Sequence, residues 1–118
     1  MFNIVLFQQI INDEYGLAYK VYKDLCSRDL IDKPVIYTDN YTINIDVNFP
    51  IFNAYYLRQH FHKNTIMVDY QDYKYIPKYL QSNCIVIFNP ITQSPGDITC
   101  KLLLSSEDNI EEKLYGKI

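Results

Sequence analysis

Residues 3–28 read NIVLFQQIINDEYGLAYKVYKDLCSR, and the change of rhythm inside them decides the fold. Asn3 to Gln8 has an unbroken, β-branched apolar centre that is too short for a helix. That is the pattern of a strand covered on both faces. Asn12 then offers an N-cap, with Asp13 and Glu14 in the first turn, where the helix dipole favours acids. Tyr15, Ala18, Val21, Tyr22 and Leu25 recur at i, i+3, i+4 spacing, while Lys20, Lys23, Asp24 and Arg28 take the other face. An amphipathic helix of roughly four turns is therefore expected, with Gly16 already inside it.

The rest of the chain repeats this alternation. Lys33-Pro34 breaks the helix, and Val35 to Thr38 (VIYT) reads as a second strand. Tyr41 to Val47 alternates strictly between apolar and polar residues, as a half-exposed edge strand does. Pro50 suits the first position of a helix running to about His62. Thr65 to Asp69 (TIMVD) is another short strand, and Pro77 suits the start of a brief helix ending near Ser82. Cys84 to Phe88 (CIVIF) is the most continuous apolar run and belongs at the centre of the sheet. Asn89 to Asp97 (NPITQSPGD) is a loop by its Pro and Gly. Thr99 to Leu104 (TCKLLL) gives a last strand, with Ser105 or Ser106 capping a terminal helix.

Strands alternating with helices imply crossover connections and a mostly parallel sheet. The predicted fold class is α/β: a small three-layer, doubly wound domain, Rossmann-like or flavodoxin-like, with about five strands and a candidate edge strand. The 118 residues are expected to form one such domain.

Composition narrows the function classes. At 48% apolar and 21% charged residues the chain is globular rather than disordered or a coiled coil. No apolar run approaches the roughly 20 residues of a membrane span. Eleven basic against fourteen acidic residues give a net charge of −3. Nucleic-acid binders carry a basic stripe, and the densest basic stretch here, Arg58 to Lys63 (RQHFHK), falls where a helix ends and complements its dipole. Nucleic acid is thus not the expected partner. Cys26, Cys84 and Cys100 lack the paired spacing of a zinc site and are expected as buried free thiols in a reducing compartment. The opening MFNIVLFQQ lacks a basic n-region, so the cytoplasm is the default location. Sixteen Ile and ten Asn against two Ala point to AT-rich codons, as in many phages and viruses, which adds the virion as a location.

In an open α/β sheet, ligands bind outside the carboxyl ends of the strands. Gln8, Asp39, Asp69 and Asn89 arrive there, among Gln9, Thr38, Asn40, Tyr70 and Ser105, and are the candidate ligand-binding residues. Dinucleotide binding needs glycines after the first strand, where this chain has QQIINDEYG, with two acids at the phosphate position. In size and strand count the chain resembles response-regulator receivers, but Gln8 and Gln9 stand where the magnesium-binding acids are needed. His60 and His62, two apart on a predicted helix, point to different faces. No catalytic constellation, metal site or cofactor is expected. The opening NIVLF is similar to the start of knotted RNA methyltransferases, whose glycine-rich knot loops are missing here. The strand–helix alternation resembles one half of a two-domain glycosyltransferase. The latter implies a nucleotide or nucleotide-sugar ligand and a second domain to complete the site.

The tyrosines are concentrated in two places. Phe49, Phe52, Tyr55, Tyr56 and Phe61 surround the second helix, and Tyr70, Tyr73, Tyr75 and Tyr79 follow Asp69. Tyrosine-rich segments give large, rigid contact area at low entropy cost. The sequence therefore favours a non-enzymatic interaction or assembly module, a phage or viral accessory or virion component. It would dock on a protein partner or a copy of itself through Tyr55, Tyr56, Tyr70, Tyr73 and Tyr75. The alternative is a small nucleotide-type ligand at the strand ends.

Overall fold

The computed structural model describes residues 3–8, 16–39, 50–60 and 65–115. The chain runs β1 (Ile4–Phe7), α1 (Leu17–Ser27), β2 (Ile36–Thr38), β3 (Ile51–Asn53), α2 (Ala54–His60) and β4 (Thr65–Asp69). It continues through α3 (Tyr70–Tyr73), α4 (Lys78–Gln81), β5 (Cys84–Phe88), β6 (Leu102–Ser105) and α5 (Ile110–Tyr115). Among the described residues six parallel strands form one sheet in the order β3-β2-β1-β4-β5-β6. Of the two expected variants this is the Rossmann order. The chain starts in the middle, winds outward through β2 to β3, then returns to β4 beside β1.

Strand side chains alternate between two apolar layers, which explains why the strands read as unbroken apolar runs. Ile4, Leu6, Met67, Ile85 and Ile87 face Ala18, Tyr22 and Leu25 of α1 and Leu114 of α5. Val5, Phe7, Ile66, Val68 and Val86 face Ala54 and Leu57 of α2, with Ile76 and Leu80 from the α3–α4 segment. Cys84 is buried in this second layer, and Cys26 and Cys100 are half-buried, all three as free thiols. Burial pushes the Cys26 thiol up to about 11 and the Cys84 thiol up to about 12, so both are neutral.

Four local expectations are corrected. Pro50 does not open a helix. Ile51, Phe52 and Asn53 pair with Ile36, Tyr37 and Thr38 as a strand. The Pro50 carbonyl accepts from Ile36 N at 3.0 Å, and a residue without an N–H is tolerated at a sheet margin. The helix begins at Ala54, where Asn53 Oδ1 accepts from Tyr55 N at 2.8 Å, the work of an N-cap. Gly16 is not inside α1 but is its N-cap, in extended conformation at φ −68° and ψ 167°. The cap of α5 is Asn109, whose Oδ1 accepts from Glu112 N at 3.2 Å. Ser105 instead ends β6. Finally, α1 stops before Lys33-Pro34, because Asp29 adopts a left-handed φ of 55°. Its N–H bonds Cys26 O at 3.1 Å and Leu30 N bonds Leu25 O at 2.9 Å, the double bond of a Schellman cap. The expected edge strand Tyr41–Val47, and the roles of Asn12, Asp13, Glu14 and Tyr15, lie outside the described residues.

Candidate functional site

The strand order reverses between β1 and β4, and there the crevice of a doubly wound sheet opens at the carboxyl ends. Asp69 is the last residue of β4, and α1 packs across β1, β4 and β5 with its N-terminus at this crevice. Asp69 is only 4% exposed. Its Oδ1 accepts from Ala18 N at 2.7 Å, satisfying one of the N–H groups a helix N-terminus leaves open. Its Oδ2 is buried with no hydrogen-bond partner among the described residues.

Gly16 makes this approach possible. A Cβ at position 16 would stand 1.6 Å from Asp69 Oδ2 and 2.8 Å from Cγ. Burial pushes the Asp69 carboxyl up to about 6, against the N–H bonds from Ala18 and Leu17 and the charge of Lys20, while the carboxylate of Asp72 pushes in the same direction as burial. A phosphate bound in the Rossmann manner would need the same first-turn N–H groups. Here the fold has filled that position with its own carboxylate.

A cleft of about 220 Å³ opens beside Asp69, lined by Gly16, Leu17, Asp69, Gln71, Asn89, Thr92 and Gln93. The 89–93 turn is held by its own amides. Asn89 Oδ1 accepts from Ile91 N at 3.0 Å, and Gln93 Oε1 accepts from Asn89 N at 2.7 Å. The Asn89 carbonyl also receives Thr92 N at 3.2 Å and Gln93 N at 2.9 Å. With both amide oxygens engaged by backbone N–H groups, each amide presents its NH₂ as donor.

Of the four candidate ligand residues, the structure brings Asp69 and Asn89 into this one cleft. Gln8 is buried at the end of β1 and Asp39 is half-buried after β2. Neither lines the cleft. Gln9 and Asn40 lie outside the described residues, as do His62 and the side chain of His60. Gly16, Gln71, Thr92 and Gln93 were not among the candidate ligand residues: Gly16 is a cap, Thr92 and Gln93 lie in or beside a turn, and Gln71 is in α3, whose four residues are too few to show a period. Among the described residues no three His, Cys, Asp or Glu side chains gather as a metal site. No helix among them is long and apolar enough to cross a membrane.

The tyrosines divide. Tyr55 is 55% and Tyr56 51% exposed, and they form an edge-to-face pair at 6.0 Å and 75°. Tyr75 is exposed beneath Lys74, whose Nζ lies 5.4 Å from the ring centroid, and Tyr79 and Phe52 are exposed as well. Tyr70 and Tyr73 instead pack against the second apolar layer, and the Tyr73 hydroxyl donates to Thr99 O. Comparison with protein-family models, with curated proteins and with solved structures finds no match for the chain.

Proposed function

We propose that this chain is a ligand-binding domain whose site is the cleft between the α1 N-terminus, the end of β4 and the 89–93 turn. The observation that carries the reading is Asp69, buried, with one carboxylate oxygen unpartnered among the described residues and lining that cleft. An unsatisfied buried polar group costs on the order of 1–3 kcal/mol, a cost that a ligand donating to Oδ2 removes. The class of ligand is drawn from the strand-end reading, a nucleotide, a nucleotide-sugar or part of one; with Asp69 already on the α1 N-terminus, the part this cleft suits is an uncharged one, a sugar or a nucleoside. A thermal-shift screen of the full chain against nucleotides, nucleotide-sugars and sugars tests it. A ligand at 100 times its Kd adds about 2.7 kcal/mol, which for a domain of this size raises Tm by several degrees. Asn89→Ala should abolish the shift. A flat screen removes the reading.

A second reading is favoured by the half-exposed Tyr55–Tyr56 pair and by Tyr75. In it the α2–α4 layer docks on a protein partner or a second copy, as an accessory or virion component of a phage or virus, in the cytoplasm or in the particle. For self-association, light scattering across a concentration series should show dimers that the double substitution Tyr55→Ser, Tyr56→Ser abolishes. A monomer at every concentration removes the homo-oligomer.

A further inference from the structure

We infer that the cleft beside Asp69 takes an uncharged saccharide, gripped by its hydroxyl groups, and excludes phosphorylated ligands. The inference rests on the reading of this cleft as a ligand site.

Three observations carry it. The first concerns charge. The one strong anion position that this fold offers, the open N–H groups at the start of α1, already holds the Asp69 carboxylate at 2.7 Å from Ala18 N. None of the described lining residues is Lys, Arg or His. A phosphate placed in this cleft meets the Asp69 carboxylate with that of Asp72 nearby, while Lys20, the cation that acts on Asp69, is not part of the described lining; a neutral ligand meets no such opposition.

The second concerns hydrogen-bonding type. The amide oxygens of Asn89 and Gln93 are engaged by Ile91 N and Asn89 N, so these side chains offer NH₂ donors. Asp69, which lines the cleft, brings a carboxylate whose buried Oδ2 has no donor among the described residues, and Thr92 and Gln71 can donate or accept. A hydroxyl both donates and accepts. Adjacent hydroxyls on one ring therefore match a set of amide donors around a single carboxylate, whereas a ligand made only of acceptors leaves Oδ2 unpaired.

The third concerns shape. About 220 Å³ is smaller than the roughly 300–1,000 Å³ of sites for drug-sized ligands, and it suits a single ring. Apart from Gly16 and Leu17 the described lining is polar, whereas the flat faces of a nucleobase need apolar surface against them. That favours a sugar ring over a nucleoside, though both carry vicinal hydroxyls.

The test is a titration of the ¹⁵N-labelled full chain, followed through backbone and side-chain NH₂ resonances. The probes are glucose, galactose, mannose and N-acetylglucosamine, then glucose 1-phosphate, UDP-glucose, uridine and UMP. At least one neutral sugar is expected to shift the Asn89 and Gln93 side-chain signals saturably, with its phosphate binding tenfold or more weakly. Asn89→Ala, and independently Thr92→Val, should weaken the sugar tenfold while leaving the spectrum dispersed. The variants also separate binding from the general stabilising action of sugars as excluded co-solutes, which no cleft substitution changes. Tighter binding of glucose 1-phosphate, UDP-glucose or UMP than of any neutral sugar overturns the exclusion but leaves the ligand-site reading intact. Uridine binding in place of every sugar overturns the saccharide assignment alone. If no probe moves these resonances, the ligand-site reading falls and the inference with it.

Discussion

Gly16 and Asp69, fifty-three positions apart in the chain, occupy one space: where Gly16 lacks a side chain, the Asp69 carboxylate sits, its Oδ2 at 1.6 Å from the point a Cβ would take. The carboxylate caps α1 from the neighbouring strand rather than from the helix's own sequence, and in doing so ties the first crossover to β4. Gly16→Ala must push Asp69 off the Ala18 N–H. The expected cost is about 1–3 kcal/mol, the range for overpacking a filled site, read from urea unfolding. In an Asp69→Ala background the same substitution should cost markedly less. Equal costs in both backgrounds would show that the two residues do not share this space.

Asp69 also sets a pH dependence of definite sign. Burial raises its carboxyl from 3.8 to about 6, so between these values the folded chain binds more protons than the unfolded one. Stability from this group is therefore greatest below about pH 4, falls as pH rises to about 6, and is flat above. The full difference is about 3 kcal/mol. Most carboxylates slope the other way, so the readout is a comparison. Between pH 4 and 6, Asp69→Asn should lose this downward component relative to the parent chain. Parallel pH profiles would place the Asp69 pKa near its ordinary value.

Tyr22 is fully buried under α1 and serves one residue twice. Its hydroxyl donates to Val35 O at 3.0 Å and accepts from Val35 N. Val35 O has a second donor in Leu6 N at 3.0 Å, so Tyr22→Phe orphans chiefly the Val35 N–H. A loss of about 1–3 kcal/mol follows, with an unchanged m-value. A change below 0.5 kcal/mol would mean that water replaces the hydroxyl.

How much of this was legible in the sequence depended on range. The runs IVLF, IMV within TIMVD, and CIVIF could be assigned as strands because a strand buried on both faces is apolar through its centre, and runs this short fall below the usual length of a helix. The strand Ile51–Asn53 was hidden. Three residues are too few to show a period, and Pro50 beside them is a helix-start signal in its own right. Asp69 and Asn89 could be named as strand-end residues, but not that they share a cleft. The bond from Ala18 N to Asp69 spans 51 positions, and sequence patterning reports only neighbours within a turn or two. Gly16 reads as helical rather than as a cap because the apolar spacing runs past it to Tyr15 without a break in the sequence.

Asp29 offers a gain rather than a loss. It holds φ at 55° in the cap that ends α1, a conformation that costs an L-residue on the order of 1–2 kcal/mol and glycine nothing. Asp29→Gly should therefore raise stability by up to about 1 kcal/mol, the loosened unfolded chain offsetting part of the relief. Asp29→Val, β-branched, should lower it. Thermal unfolding of the two variants beside the parent reads the order directly. A glycine variant less stable than the parent would mean that the Asp29 side chain contributes more than its backbone strain removes.

The tyrosines yield the sharpest contrast between packing and surface. Tyr73 packs against the second apolar layer and donates to Thr99 O, holding the approach to β6 against α3. Tyr55 stands more than half exposed on α2. Tyr73→Ala should cost about 2 kcal/mol or more by loss of packing and of the hydroxyl bond. Tyr55→Ala should stay within about 0.5 kcal/mol, as substitutions on an open surface do. Tyr73→Phe separates the two parts of the first figure, since it keeps the ring and removes only the bond. If Tyr55→Ala proved as costly as Tyr73→Ala, the ring would be packed against something in the isolated chain, and the exposed aromatic layer could no longer be offered as a docking surface. If both behave as expected, any association that Tyr55→Ala and Tyr56→Ala abolish is a property of the surface itself, because the fold beneath it has not changed.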